Sequence, residues 1–374
     1  GTTDYSNKYE KSAALSQVKG HPLQTFTREN EALTKLIDRM KELLHDTDET
    51  TGSGSLPVDE KQVDTGNLPQ IAAQLLKIRE VAVHYAKKGD LLYPHLNARY
   101  GIAGPSAVMW TADDEIRDEL GALCKALQKG REAAEQNATG SFQSSQWDVK
   151  WLERLQKVLM RAEEMIYKEN HILFPNCAVN FTEEDWMGIY RDAKDYADCL
   201  GVHGEVWEEA ENWLRKEKEA KKTVFKGTKD GQDSEGEEDR AGSNFSDGVI
   251  HMPGGHMTIR QLTALLNTIP LEISFIDAED RNCYFNEGPK VFKRAQMALG
   301  RSVFTCHPPK VETMVRRIIG EFREGTLDRV PVWMDKGGRT MLVIYMAVRD
   351  ESGEYMGTME LVQDMEFAKE HFGK

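Results

Sequence analysis

The sequence predicts a multi-domain protein: an all-α up-down four-helix bundle, then an α+β domain of antiparallel strands. Three observations carry that prediction. Apolar residues recur at steps of three and four in four long blocks before residue 220, the mark of helices with one buried face. After residue 250 the pattern changes to short alternating runs divided by turn sequences. Between them lies "KKTVFKGTKDGQDSEGEEDRAGSNFSDG", residues 221–248, acidic and too poor in apolar side chains to offset ordering entropy by burial. The expected boundaries are a bundle with extra C-terminal helices over 1–220, a flexible acidic linker over 221–250, and the α+β domain over 251–374.

Phe26, Leu33, Ile37, Met40 and Leu44 mark the first bundle helix, and residues 46–68, rich in Gly, Ser, Asp and Thr, read as a solvated tether. Leu75, Ile78, Val81 and Leu91 mark the second helix; Met109, Ile116, Leu120, Leu123 and Leu127 mark the third. Trp151, Leu155, Val158, Ala162, Met165 and Ile172 mark the fourth, and residues 182–220 add a helical stretch outside the bundle. Beyond the linker, "LEISFID" and "NCYFNEG" read as a strand pair around the turn "AEDR". "VFKRAQMALG" and "HPPKVETMVRRIIGEFREG" read as helices. "RVPVWMDKGGRTMLVIYMAVRDESGEYMGTMELVQDM" reads as three strands separated by "DKGG" and "DESGE".

Composition excludes several classes. At 374 residues the chain exceeds one ordinary compact domain, and at 40% hydrophobic it can fill two cores. No run approaches the roughly 18–20 apolar residues of a membrane span, so no membrane partner is expected. A net charge of -14 argues against nucleic acid, which is bound through clustered Lys and Arg. Cys124, Cys177, Cys199, Cys283 and Cys306 are scattered with no CxxC spacing, which fits reduced thiols rather than a cysteine-held cluster. The opening "GTTDYSNKYEKS" has no charged-then-apolar leader pattern, and together these features give the expectation of a cytoplasmic protein.

Each bundle helix also places a polar residue where its apolar stripe asks for a hydrophobic one. The series 109, 113, 116, 120 turns Asp113 inward, and 162, 165, 169, 172 turns Glu169 inward. His84 follows Val81 by three residues; in the first helix Asn30 faces inward with Glu29 beside it and His21 at the helix start. Start, end, start and end of successive helices share one level in an up-down bundle, so these groups converge. Buried charge needs a partner or a metal. Two imidazoles and two carboxylates suit Fe²⁺ or Zn²⁺ better than Mg²⁺ or Ca²⁺. A hydrogen-bonded polar layer satisfies the same pattern, and the residues alone leave both readings open. His95 lies about 16 Å along a helix from His84, and Pro94 before it marks a helix end, so His95 is expected at the surface or at a cap. His171 faces away from Glu169, and His45, His203 and His371 read as surface residues.

"GHPLQTFTRENEAL", "HYAKKGDLLYPHL", "VMWTADDEIRDEL" and "YKENHILFPN" together resemble the hemerythrin-like cation-binding (HHE) domain. They resemble most closely its variant in the bacterial and archaeal family called domain of unknown function 438, which joins that bundle to a PAS domain. "LTALLNTIPLEISFIDAEDRNCYFNEG", "CHPP" and "GEYMGTMELVQDM" are similar to the PAS part, so the likeness runs over nearly the whole chain. The resemblance implies a five-stranded antiparallel sheet in the second domain. In the first it implies non-haem iron or another divalent cation at His21, His84, Asp113 and Glu169, with Glu29 or Glu115 nearby. Two positions depart from the family pattern: Gly89 replaces a glutamate, and Asp113 replaces a histidine ahead of "DEIR". The set is therefore poor in imidazole, and oxygen-carrying di-iron chemistry is not implied.

PAS domains hold haem, flavin, small metabolites or nothing, and fold alone does not choose among them. In "TCHPPKV", Cys306 and His307 are the cofactor-binding candidates, His307 as an axial haem ligand. The competing reading has the double proline start a helix with His307 packed or capping there. Phe275, Tyr284, Trp333 and Tyr345 line a cavity or form plain core. The combined expectation is a metal- or redox/gas-responsive sensor with a small molecule or gas as ligand. Its output would run through a protein partner or a PAS homodimer. Two other classes fit the same motifs: a non-haem iron oxidase or peroxidase-like enzyme, and an interaction protein with a degenerate metal site.

Overall fold

The structure, a computed structural model, describes residues 5, 7–49, 68–101, 104–136, 149–226, 248–288 and 290–372. The chain forms two compact units, Gly1–Trp207 and Glu208–Lys374. Most of both expected tethers lies outside the described residues. Of their ends, residues 46–49 complete a helix, 221–226 continue another, and 249–250 begin a strand.

The first unit contains α1 (Lys8–Ser16), α2 (Pro22–Glu49), α3 (Leu68–Arg79), α4 (Val81–Lys87), α5 (Tyr93–Tyr100), α6 (Gly104–Gln136), α7 (Val149–Lys168), α8 (Phe174–Asn180) and α9 (Glu183–Ala193). A wide π-turn, Lys88–Leu92, joins α4 to α5, and a second, Glu169–Leu173, joins α7 to α8. The four rods of the up-down bundle are thus α2, α3–α5, α6 and α7–α8. They close into a ring in which α2 packs on α3 and α7, and α6 packs on the same two. Leu33, Ile37, Leu75, Ile78, Ile116, Leu123, Leu155 and Met165 fill the centre, all buried, and each stabilises the bundle by roughly 1.5–3 kcal/mol.

The π-turns alter two expectations. Ile172 is 38% exposed and Leu173, at 3%, takes the core position, because the wide turn inserts one extra residue into the helical frame. Pro94 does not end the second helix. A proline lacks the N–H of a helical bond and crowds the carbonyl four residues back. Here the turn before it is already widened, with the Tyr93 amide bonded to the Lys88 carbonyl. "ILFP" repeats the device at Pro175, the Phe174 amide bonding to the Glu169 carbonyl.

The second unit contains α10 (Glu208–Lys226), β1 (Val249–Met252), β2 (Gly255–Thr258), α11 (Ile259–Thr268), β3 (Glu272–Asp277), β4 (Asn282–Phe285), α12 (Pro309–Glu324), β5 (Arg329–Lys336), β6 (Arg339–Arg349), β7 (Tyr355–Asp364) and α13 (Glu366–Phe372). β1 and β2 form a separate hairpin, and the remaining strands form a five-stranded antiparallel sheet in the order β4-β3-β7-β6-β5. α12 lies against β6 and β7. Ile276, Val303, Val315 and Ile319 pack together as a core with Phe304 and Val311. β3 and β7 approach so closely at Gly357 (φ +149°) that a Cβ there would lie 2.1 Å from the Ile276 carbonyl oxygen. The expected helix "VFKRAQMALG" is reduced to a single 3₁₀ turn, Gln296–Ala298. The Val291 and Phe292 amides bond instead to the Glu272 carboxylate, at 2.8 and 3.1 Å.

Candidate functional site

Charged side chains meet inside the bundle from all four rods. α2 supplies Glu29, α4 supplies His84 and Lys87, α6 supplies Asp113, and Lys88 and Glu169 are the first residues of the two π-turns. His84 bridges two carboxylates, Nδ1 at 2.7 Å from Glu29 Oε2 and Nε2 at 2.9 Å from Glu169 Oε2. Lys88 Nζ donates to Asp113 Oδ1 at 3.0 Å and to Glu169 Oε1. Lys87 Nζ donates to Glu29 Oε1, and the Tyr93 hydroxyl donates to Asp113 Oδ2 at 2.7 Å. The cluster is sealed, Lys88 and Glu169 being 0% exposed.

Electrostatics inside the seal follow from the pairing. Burial opposes charge on His84, yet the carboxylates of Glu169 and Glu29 outweigh it and raise its pKa. Burial also opposes charge on Glu169, and Lys88 with His84 holds its carboxyl below the usual range. Asp113 is pushed up by burial against the pull of Lys88, with the Glu169 charge adding to the rise. Burial drives the Cys199 thiol up to about 12, the Glu29 charge beside it acting in the same sense, which leaves that sulfur inert.

Of the four residues expected to form one site, His84, Asp113 and Glu169 come together and His21 does not join them. His21 precedes α2 and caps it, its Nδ1 accepting from the Leu23 amide at 3.0 Å. Its ring lies between Trp186 and Trp207, 4.7 Å from each centroid, and burial lowers its pKa to about 3. Glu29 belongs to the cluster, whereas Glu115 is an outward residue paired with Arg161. His95 is buried, not superficial: its Nε2 lies 2.8 Å from Asp185 Oδ1 and its ring packs on Phe181. His171 and His203 are exposed, His171 stacked on Tyr167; the side chain of His45 lies outside the described residues. Sequence reasoning assigned no role to Lys87 and Lys88, although Lys88 stands four residues after His84 and so shares its helix face.

A divalent ion does not fit this arrangement. Both nitrogens of His84 and every carboxylate oxygen of Glu29, Asp113 and Glu169 already have a protein partner. Among the described residues no group of three or more His, Cys, Asp or Glu is set to hold a metal. The space beside Gly89 is taken by Trp110, whose Nε1 would lie 3.1 Å from a Cβ built there.

A second buried polar cluster stands in the other unit. Glu272 and Ser274 on β3 share a face with Glu360 on β7, and Glu360 is the register partner of both Ser274 and Tyr345. Arg294 bridges the two glutamates, its Nε 3.0 Å from Glu272 Oε1 and its Nη2 donating to Glu360 Oε1. Burial and then the neighbouring Glu360 charge raise the Tyr345 pKa. Ser274 is 3% exposed, and its hydroxyl has no hydrogen-bond partner among the described residues. His307 donates from Nδ1 to the Val303 carbonyl at 2.8 Å, and burial lowers its pKa. Cys306 is half-buried, its Sγ 3.5 Å from Asn282 Nδ2, and α12 begins at Pro309. With a guanidinium and two carboxylates on this face, the residues do not fit the apolar planes of a haem.

A family model for the hemerythrin HHE cation binding domain matches residues 21–177, and one for a PAS domain matches residues 262–366. Among solved structures, a C-terminal domain from Streptococcus mutans is 34% identical over 34% of this chain and 98% of its own, with a TM-score of 0.33. A sensory box sensor histidine kinase from Vibrio cholerae is 12% identical over 28% of this chain and 90% of its own, with a TM-score of 0.22. A PAS domain from Colwellia psychrerythraea is 13% identical over 28% of this chain and 95% of its own, with a TM-score of 0.23. No curated protein matches the chain. No helix among the described residues is long and apolar enough to cross a membrane. The chain joins a hemerythrin HHE cation binding domain, residues 21–177, to a PAS domain, residues 262–366.

Proposed function

We propose that this protein is a sensor whose PAS domain takes up a small, uncharged, hydrogen-bonding molecule. The pairing of an HHE bundle with a PAS domain supports a sensory role. One observation supports the ligand: the Ser274 hydroxyl, buried and unpartnered on the strand face that carries Glu272, Glu360 and Tyr345. Leaving a buried hydroxyl unmade costs about 1–3 kcal/mol, a debt that a ligand donor or acceptor would remove. Arg294 sets one positive charge against the two glutamates it bridges, so the face keeps a net negative charge, which disfavours an anionic guest. A metal- or gas-responsive bundle is the finer reading that the HHE match favours, but its donors are already paired with protein groups.

The test is to screen the full chain against small polar molecules by thermal shift, with native mass spectrometry for any that co-purify. At least one neutral hydrogen-bonding compound should stabilise the PAS transition, and Ser274→Val should abolish that stabilisation. A chain that retains and responds to nothing, and that Ser274→Val simply makes more stable, would return Ser274 to an unsatisfied core residue.

A further inference from the structure

We infer that the cation of this HHE bundle is its own Lys88 ammonium, which stands in the carboxylate cage where the family places a metal ion. Lys88 reaches the cage because it follows His84 by four residues and opens the first π-turn, so its side chain points along the inner face. All its partners are anionic or π-rich: Asp113, Glu169, the Tyr85 ring at 4.4 Å and the Tyr93 ring at 5.8 Å. Its fully buried charge is tolerable only with partners of this kind.

Charge counting points the same way. Glu29, Asp113 and Glu169 face Lys87, Lys88 and a His84 ring held between two carboxylates, three anionic groups against three basic ones. A divalent ion added to this set would bring an excess of positive charge into a sealed core, or would have to expel Lys88 from two carboxylates at once. Gly89 withdraws a donor from the same turn, and Trp110 fills its place. The bundle then needs no metal to hold its core, and truncating Lys88 converts the cage into a vacant anionic site open to a cation from solution.

Two probes test this on the full chain: Zn²⁺ or Fe²⁺ under anaerobic conditions, and n-propylammonium, which replaces the deleted side-chain end. Wild-type protein should hold well under one ion per chain after dialysis, with a melting temperature indifferent to either probe. Lys88→Ala should melt about 10 °C lower, and each probe should restore most of that loss. The variant should also take up close to one metal ion per chain. Lys88→Met, which fills the space without charge, should lose stability yet respond to neither probe, and adding Glu169→Gln should recover part of the loss. This pair keeps the test decisive if Lys88→Ala fails to fold. One ion bound per wild-type chain and lost in Glu169→Gln would overturn the proposal. So would a Lys88→Ala protein that folds and ignores both probes.

Discussion

His21 shows how one side chain can answer two questions differently. Its folded pKa, about 3, lies below the unfolded 6.5, so folding excludes a proton from the ring. The stability tied to that exclusion is complete above pH 6.5 and is lost as pH falls toward 3, at about 1.4 kcal/mol per unit. At pH 5 the bundle should therefore be about 2 kcal/mol less stable than at pH 7 on this account alone. His21→Asn keeps a capping acceptor for the Leu23 amide but cannot titrate, so its melting temperature should fall less between pH 7 and pH 5. Equal slopes for wild type and variant would sink the idea. The inward places of Asp113, Glu169 and His84 were legible because each interrupts an apolar stripe at helical spacing. The seat of His21 was not, because Trp186 and Trp207, which enclose it, lie more than 160 residues away in sequence. Lys88 was overlooked for a different reason: a lysine in an amphipathic helix ordinarily reads as solvent-facing, and its inward aim depends on the π-turn it begins.

At the scale of elements, periodicity located all four rods but not the turns that widen them. A stripe read at 3.6 residues accepts a slip of one when adjacent residues are both apolar, and Ile172 and Leu173 are such a pair. The "VFKRAQMALG" segment failed as a helix because a carboxylate distant in sequence, Glu272, captures two of its amides. α11 depends on local chemistry in the opposite sense. It buries none of its residues, and a reciprocal capping box between Thr258 and Gln261 holds its first turn. Thr258→Ala should cost about 1 kcal/mol of local stability, seen as roughly five-fold faster amide exchange across residues 261–266. Exchange unchanged in that window would mean that packing, and not the cap, maintains the helix.

For the whole molecule, the change from a helical to an alternating period announced two domains, and two compact units are present. The expectation of an acidic linker over 221–250 rests on composition alone, since residues 227–247 lie outside the described set. Limited proteolysis should cut first between Asp230 and Asp239. It should leave two fragments, each melting in its own cooperative transition. Early cleavage within the bundle helices or within the five-stranded sheet, with that stretch intact, would move the boundary.

The two π-turns also say something about the gene. Each is one residue of surplus in an otherwise regular rod. A single-codon deletion inside 88–92 or 169–173 can close the surplus into an ordinary helical turn and leave Leu96 or Cys177 in its seat. The same deletion one turn away rotates everything downstream by about 100° and empties the core. Within the rods, these windows are therefore where the loss of one residue keeps the helical frame beyond it. What such a deletion would take away is the footing of Lys88 or Glu169, and with it the ion pair that joins the second rod to the fourth.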